Sequence, residues 1–285
     1  MTDKQKSILA MLISALGFSI MGVFIKLTGD IPIAQKVLFR TYTIAVVSFL
    51  LIRMSGLASQ KITHHKLLLL RSALGTIGLL LNFYSLDRLI LSDANVIFRL
   101  SSVFVIILSW IFLGERISKK QFFIISSAFI GVLFIMKPEF SFRLIPYLIA
   151  IAGAFSAAAA YTTLRPLGKV VSPMIVVFYF AVFSSLVLTP YVLLNFAPMT
   201  FAQVVFAVLA GLGGVLGQVG VTFAYKFAPA KEVSIYNYFG VVFSAIFSII
   251  IFDSVPDGFS IIGYVIVFIS SYIMYQSNKK EVLPK

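Results

Sequence analysis

The fold is decided by the stretch from Gly75 to Met136, GTIGLLLNFYSLDRLILSDANVIFRLSSVFVIILSWIFLGERISKKQFFIISSAFIGVLFIM. It contains two apolar runs long enough to cross a bilayer, with a tight polar hairpin between them. An arginine lies inside the second run, and a third apolar run follows a short loop that contains Gly-Glu-Arg. Because roughly 20 mostly apolar residues span the hydrocarbon core of a membrane, the stretch predicts consecutive transmembrane helices.

The same plan recurs in diverged form from Gly214 to Met274, GVLGQVGVTFAYKFAPAKEVSIYNYFGVVFSAIFSIIIFDSVPDGFSIIGYVIVFISSYIM. A shift of 139 positions places Gly75 on Gly214, Gly78 on Gly217, Asp93 on Glu232 and Phe104 on Phe243. The sequence therefore predicts an internal duplication, with a first repeat at 1–139 and a second at 140–285.

The composition excludes an ordinary soluble domain, in which about a quarter of the residues are charged. Of the 285 residues, 60% are hydrophobic and 12% are charged, and there is no cysteine. A net charge of +13 would suggest nucleic acid as a partner in a soluble protein, but we attribute it to Lys and Arg in cytoplasmic loops and predict no nucleic-acid binding. The lipid bilayer is the expected environment.

The apolar runs predict an all-α membrane protein with ten transmembrane helices, at about 7–27, 34–53, 66–86, 92–113, 121–137, 144–164, 173–194, 202–224, 231–252 and 259–276. If the N-terminus is inside, 16 of the 23 Lys and Arg residues, Arg71 among them, fall on the inner side and 5 on the outer side. This asymmetry predicts that both termini are cytoplasmic. Because each repeat has five helices, the second repeat must be inverted, an arrangement typical of secondary transporters.

Motifs spread over the chain resemble those of the drug/metabolite transporter superfamily, in particular the ten-helix bacterial EamA-type permeases. They are Ala-Leu-Gly-Phe-Ser at 15–19 with Lys26, Phe-Arg-Thr-Tyr at 39–42, the run from Asp93 to Phe-Leu-Gly-Glu-Arg at 112–116, Phe155-Ser156, Ala224-Tyr225 with Ala-Pro-Ala at 228–230, and 238–243. The second repeat departs from the pattern, because Ser254, beside Asp253, stands at the position that matches Glu115. The resemblance implies a transporter of a bacterial inner membrane without a cofactor, and it does not name the substrate.

Ionisable and polar groups inside the membrane are the candidates for substrate binding, because they are costly there. Arg99 is the strongest, and it shares one helical face with Asn95, Ser102 and Ser109. The corresponding face of the second repeat has Ser234, Tyr238 and Ser248, with Asn237 and Tyr236 beside them. Asn82, Tyr161 and Gln218 complete the predicted site, although each is equally compatible with a hydrogen bond between helices, and Arg99 with an interfacial anchor.

A second group of charged residues is predicted to be structural or to act in gating: Lys26, Arg40, Asp93, Glu115 and Glu232. An arginine at the position of Arg40 is common in the resembling family whatever the substrate, which favours a pairing with an outer acid such as Asp30 or Asp93. Asp93 and Glu232 are either titrating groups or caps of helix starts.

The predicted function is secondary transport of small metabolites, with amino acids or related small organic anions as the expected substrates, by alternating access between the two repeats. The alternatives are a nucleotide-like, sulfonium or amine metabolite, or a lipid-linked substrate that is flipped. The sequence does not favour an enzyme, because it contains no paired acids and no histidine within a predicted helix. The pair His64-His65 alone does not predict a metal site. Ten helices suffice for a pathway in a monomer, and a dimer is the other option.

Overall fold

The computed structural model describes residues 3–57, 62, 64–98, 100–114, 120, 123–124, 126–127, 130–131, 134, 144–228, 233, 236–237 and 239–281. The described chain is helical throughout. The helices are α1 (Asp3–Leu27), α2 (Ile33–Met54), α3 (His65–Arg88), α4 (Leu91–Phe98), α5 (Leu100–Leu113), α6 (Ile145–Thr162), α7 (Leu164–Leu167), α8 (Pro173–Leu194), α9 (Phe201–Phe227), α10 (Phe239–Phe252) and α11 (Gly258–Glu281).

Within the described part of the chain, six segments are long and apolar enough to cross a membrane: 3–27, 33–54, 65–88, 145–167, 173–194 and 201–227. Three shorter apolar helices lie at 100–112, 239–252 and 258–270. For the six long segments the predicted bounds agree with the helices to within about four residues, whereas the predicted start of the helix at 231–252 falls largely on residues outside the described part of the chain. Most of the predicted helix at 121–137 lies outside the described residues, so the count of ten and the inversion remain predictions.

The packing is the reverse of that of a soluble protein. Large apolar side chains such as Leu186, Leu193 and Phe201 are exposed on the outside, whereas serine, threonine and arginine side chains are buried within the bundle. Lipid solvates apolar surface as well as a protein core does, so helix association in a membrane depends on close packing and on hydrogen bonds between helices.

The closest packing joins helices from opposite halves of the chain, α1 with α9 and α3 with α6. A Cβ atom on Gly17 would lie 2.6 Å from the backbone N of Gly217, and one on Gly78 would lie 2.9 Å from the backbone N of Ala157. At both interfaces a serine hydroxyl donates to a carbonyl of the facing helix, Ser14 to Gly217 at 2.7 Å and Ser156 to Leu74 at 2.8 Å. Small residues therefore allow backbone contact at two related interfaces.

The ends of α5 and α10 correspond to each other after the shift of 139 positions. Gly114 follows α5 with a φ of 69°, and Asp253 follows α10 with a φ of 49°. A residue in the left-handed region after the last helical residue is a common way to end a helix, and glycine adopts it without the strain that a side chain brings. The first residue of the Gly-Glu-Arg motif, Gly114, thus ends helix α5, and Asp253 ends α10 in the same way in the second half of the chain.

Substitution of Gly17 by alanine should lower the free energy of unfolding by about 1–3 kcal/mol, because the added methyl group has no room against the backbone of α9. Thermal unfolding in detergent, followed by circular dichroism, measures the change. Gly258→Ala is the matched control, since no atom lies within 4 Å of a Cβ at that position. Equal stability of the two variants would show that the α1–α9 contact is not tight.

Candidate functional site

A cavity within the bundle is lined by residues of both large apolar clusters of the core, Leu79 and Phe180 from the first and Ala157 and Tyr161 from the second. Its lining comes from α1, α2, α3, α4, α6, α8 and α9, which is to say from both halves of the chain. The described lining residues are Phe18, Met21, Arg40, Arg71, Gly75, Leu79, Asn82, Leu86, Phe98, Ala157, Ala160, Tyr161, Phe180 and Gln218.

The cavity is small in this conformation. The centres of water-sized spheres can occupy about 40 Å³ of it. About 10–15 Å³ of such volume holds one water molecule, so the cavity has room for about three waters. A metabolite would therefore require the surrounding helices to separate.

Two arginines dominate the chemistry of the cavity. Arg40 is 0% exposed and Arg71 is 1% exposed. Their Cζ atoms lie 5.9 Å and 4.1 Å from the centroid of the Phe180 ring, so both guanidinium groups share one aromatic neighbour. Arginine stays protonated in proteins, and the cavity therefore carries two positive charges.

The hydrogen-bonding capacity of the two guanidinium groups is largely unused. Nη2 of Arg71 donates to Oε1 of Gln218 at 2.9 Å, and Nε of Arg40 contacts Sδ of Met21 at 3.2 Å. Nη1 and Nη2 of Arg40 and Nε and Nη1 of Arg71 have no hydrogen-bond partner among the described residues. Buried polar groups are almost always paired in proteins, and exceptions point to a function or to an unseen partner.

The described lining residues include no aspartate or glutamate. The expected ion pair of Arg40 with Asp30 or Asp93 is absent from the described part of the chain. Lys36, four residues before Arg40 in α2, shows the contrast: its Nζ lies 2.7 Å from Oδ1 of Asp87, and its side chain is 2% exposed. This buried lysine has a counter-ion, whereas Arg40 and Arg71 have none among the described residues.

Two glycines make room for the two arginines. A Cβ on Gly75 would lie 3.3 Å from Nη1 of Arg71, and a Cβ on Gly214 would lie 2.9 Å from Nε of Arg40. Gly75 and Gly214 are also the pair that the shift of 139 positions superimposes. Two positions that the sequence predicts to correspond therefore each lie against one of the cavity arginines.

Three of the predicted site residues, Asn82, Tyr161 and Gln218, line this cavity. Asn237 is buried but is not among the described residues that line the cavity. Its Nδ2 donates to Oγ of Ser102 at 3.4 Å, and this hydrogen bond joins the two predicted polar faces. Tyr236 packs against the second apolar cluster. Arg99, Tyr238 and the side chain of Asn95 lie outside the described residues, so their place in the site remains a prediction.

The residues predicted to be structural lie in different surroundings. Nζ of Lys26 donates to the carbonyl of Leu89 at 2.7 Å. Asp93 is buried and accepts a hydrogen bond of 2.8 Å from the hydroxyl of Tyr264 in α11. Arg40 lines the cavity instead of standing apart from it, and Glu115 and Glu232 lie outside the described residues.

Sequence reasoning missed Arg71 and Phe180. Arg71 was counted among the charges of the inner side, although it lies seven positions into α3 and is buried. Its position among Ser72, Gly75 and Thr76, a small and polar face of the helix, is the signal that could have identified it. Phe180 is one of 29 phenylalanines, and no pattern distinguishes it in the sequence.

Comparison with known proteins places the chain in a family. The sequence model of the EamA-like transporter family matches residues 5–137 and again residues 144–276. The chain belongs to this family, and it is a multi-pass membrane transporter.

Individual relatives are similar over nearly the whole chain. The pseudopaline exporter CntI of Pseudomonas aeruginosa strain UCBPP-PA14 is 28% identical over 96% of this chain and 98% of its own length. Human solute carrier family 35 member G1 is 30% identical over 94% of this chain and 80% of its own length. A crystal structure with 15% identity superposes with a TM-score of 0.73 over 98% of this chain and 99% of its own, which shows the same fold.

Replacement of Gln218 by glutamate should raise the free energy of unfolding by about 1–3 kcal/mol in the absence of any ligand, because it places a carboxylate against the Arg71 guanidinium. Gln218→Leu should lower the free energy of unfolding by a similar amount, since Arg71 then loses its one described hydrogen-bond partner. Thermal unfolding in detergent measures both changes. Gln276→Glu in α11 is the control, because Gln276 is half-buried and donates to the hydroxyl of Tyr272, which is neutral. Destabilisation by Gln218→Glu would indicate that Arg71 already has a counter-ion.

Proposed function

We propose that this protein is a secondary transporter of small organic anions, such as amino acids or related metabolites, and that Arg40 and Arg71 bind the anionic group. The observation that carries the proposal is the pair of buried guanidinium groups whose free nitrogens line a cavity. Arginine recognises carboxylates and phosphates through two parallel hydrogen bonds, and such bonds are stronger where water is excluded.

The other lining residues supply the remaining contacts of this proposed site. Asn82, Tyr161 and Gln218 offer polar groups, and Phe18, Phe98 and Phe180 form apolar walls. Arg99 of the predicted polar face is proposed as a further cation on the substrate pathway. Proteins of this architecture need no cofactor for such transport, since binding and a conformational change suffice.

The electrostatics of the cavity discriminates among the alternative substrates. Two fixed positive charges repel an amine or a sulfonium group. A nucleotide-like metabolite is the second candidate, because its phosphate suits the arginines and its base would stack on the aromatic walls. The pseudopaline exporter transports outward by its name, so efflux as well as uptake has to be measured.

We further propose alternating access in a bacterial inner membrane, with both termini in the cytoplasm and the monomer as the functional unit. The double match of the family supports a duplicated architecture, for which the sequence predicts inversion. The tight α1–α9 and α3–α6 contacts cross the halves of the chain, and rigid rocking of sequential halves would break them. We therefore propose that these cross-half pairs move as units.

Loss of either arginine should impair transport. In proteoliposomes, Arg71→Gln and Arg40→Gln should weaken the apparent affinity for an organic anion about tenfold to hundredfold, the equivalent of one charge-assisted interaction. Arg53→Gln is the matched control, because Arg53 is exposed at the end of α2. Full uptake by both cavity variants would exclude the arginines from the site.

Disulfide cross-links test the proposed moving units. The chain has no cysteine, so only introduced pairs react. Leu81→Cys with Gly153→Cys joins α3 to α6, where a Cβ on Gly153 would lie 3.1 Å from Cβ of Leu81. Thr41→Cys with Ser185→Cys joins α2 to α8, where the two short side chains lie with their hydroxyl oxygens 3.1 Å apart. Transport should survive oxidation of either pair. Inhibition that a reducing agent reverses would show instead that the sequential halves rock.

A further inference from the structure

We infer that the substrate carries two negative charges, one for each cavity arginine, and that the site selects dianions over monoanions of the same size. This inference rests on the proposed anion transport and names its substrate class. It depends on the number of uncompensated charges, on their separation and on the absence of a described acid at the cavity.

The number of charges is two because neither arginine is neutralised by a described neighbour. Nη2 of Arg71 contacts a neutral amide, and Nε of Arg40 contacts a neutral thioether. Four further guanidinium nitrogens have no partner among the described residues. A buried ion without a counter-ion has a large desolvation cost, which falls only when an opposite charge arrives.

The separation of the two charges suits one compact ligand. Because the Cζ atoms lie 5.9 Å and 4.1 Å from the same ring centroid of Phe180, they are no more than about 10 Å apart. A short dicarboxylate or a phosphate monoester can present negative oxygens to both groups at once. A monoanion of equal size neutralises one guanidinium and leaves the other buried without a counter-ion.

Neutral groups at the cavity cannot replace the second negative charge. Asn82, Tyr161 and Gln218 are the polar lining residues that accompany the arginines. Their oxygens accept hydrogen bonds, but they carry no net charge to offset the second guanidinium. Discrimination between a dianion and a monoanion therefore measures how many arginines bind the ligand.

Succinate and succinamate form a suitable pair of probes, because they have nearly the same size and differ by one negative charge. Their dissociation constants are measured by titration of the purified protein in detergent at constant ionic strength, with inorganic phosphate as a probe for a phosphoryl ligand. The wild-type protein should bind succinate at least about tenfold more tightly than succinamate, the ratio expected for one additional charge-assisted contact.

Removal of one charge from the cavity should remove this preference. In Arg40→Gln and in Arg71→Gln the ratio of the two dissociation constants should fall towards one. In Gln218→Glu, which adds a negative charge beside Arg71, the ratio should fall as well, while both arginines are retained. Arg53→Gln should keep the wild-type ratio. Tighter binding of phosphate than of succinate would assign the dianion to a phosphoryl group.

The outcomes separate this inference from the proposed function. Equal affinity of the wild-type protein for succinate and succinamate, with both lost in Arg71→Gln, would overturn the dianion and retain anion transport. Binding of neither anion nor of phosphate would overturn both. The thermal stability of each variant without ligand shows whether the variant is folded. Because each arginine substitution removes a buried charge that has no described counter-ion, it should leave the stability of the protein unchanged or raise it. Unfolding of both arginine variants would identify a structural role for the two arginines.

Discussion

Two positive charges held inside an apolar bundle without a described counter-ion are the constraint on which the site depends. Arg40 and Arg71 come from α2 and α3, and they meet over the ring of Phe180 from α8. Such an arrangement is costly, and it persists only where the surrounding structure enforces it. Gly75 and Gly214 provide the space for the two side chains, and the cavity beside them has room for only about three water molecules.

Small residues allow the helices of the bundle to pack closely around this cavity. Glycine and serine at the α1–α9 and α3–α6 interfaces bring backbones into contact, and side-chain hydroxyls satisfy carbonyls across the interface. Since lipid offers no hydrophobic drive for helix association, these contacts are what holds the halves together.

Much of the fold could be predicted from the sequence, because membrane helices are specified by long apolar runs. The segment predicted at 173–194 has the bounds of α8, and the offset of 139 positions pairs the ends of α5 and α10 as well as Gly75 with Gly214. Asn82 and Gln218 are predicted as site residues because they lie deep in apolar runs; both line the cavity, and their binding of a substrate stays a prediction.

The rest could not be predicted, for a geometric reason. A charge near a helix end either extends to the membrane surface or turns inward, and spacing along the chain does not distinguish these directions. Arg71 was therefore counted with the surface charges, and Arg40 was expected to pair with an acid. Phenylalanine is so frequent here that Phe180, which contacts both guanidinium groups, carries no sequence signal. Three-dimensional packing alone identifies it.

The uncompensated arginines have a consequence for the energetics of the transport cycle. Closure of the helices around an empty cavity strips water from both guanidinium groups, whereas closure around an anion exchanges water for a counter-charge. On the proposed site, the cost of removing water from the two guanidinium groups therefore falls on the carrier without substrate. The empty carrier then passes slowly through the occluded state. On the proposed site, a carrier that releases one anion returns fastest with another, so that the two fluxes are coupled without any ion gradient entering the site.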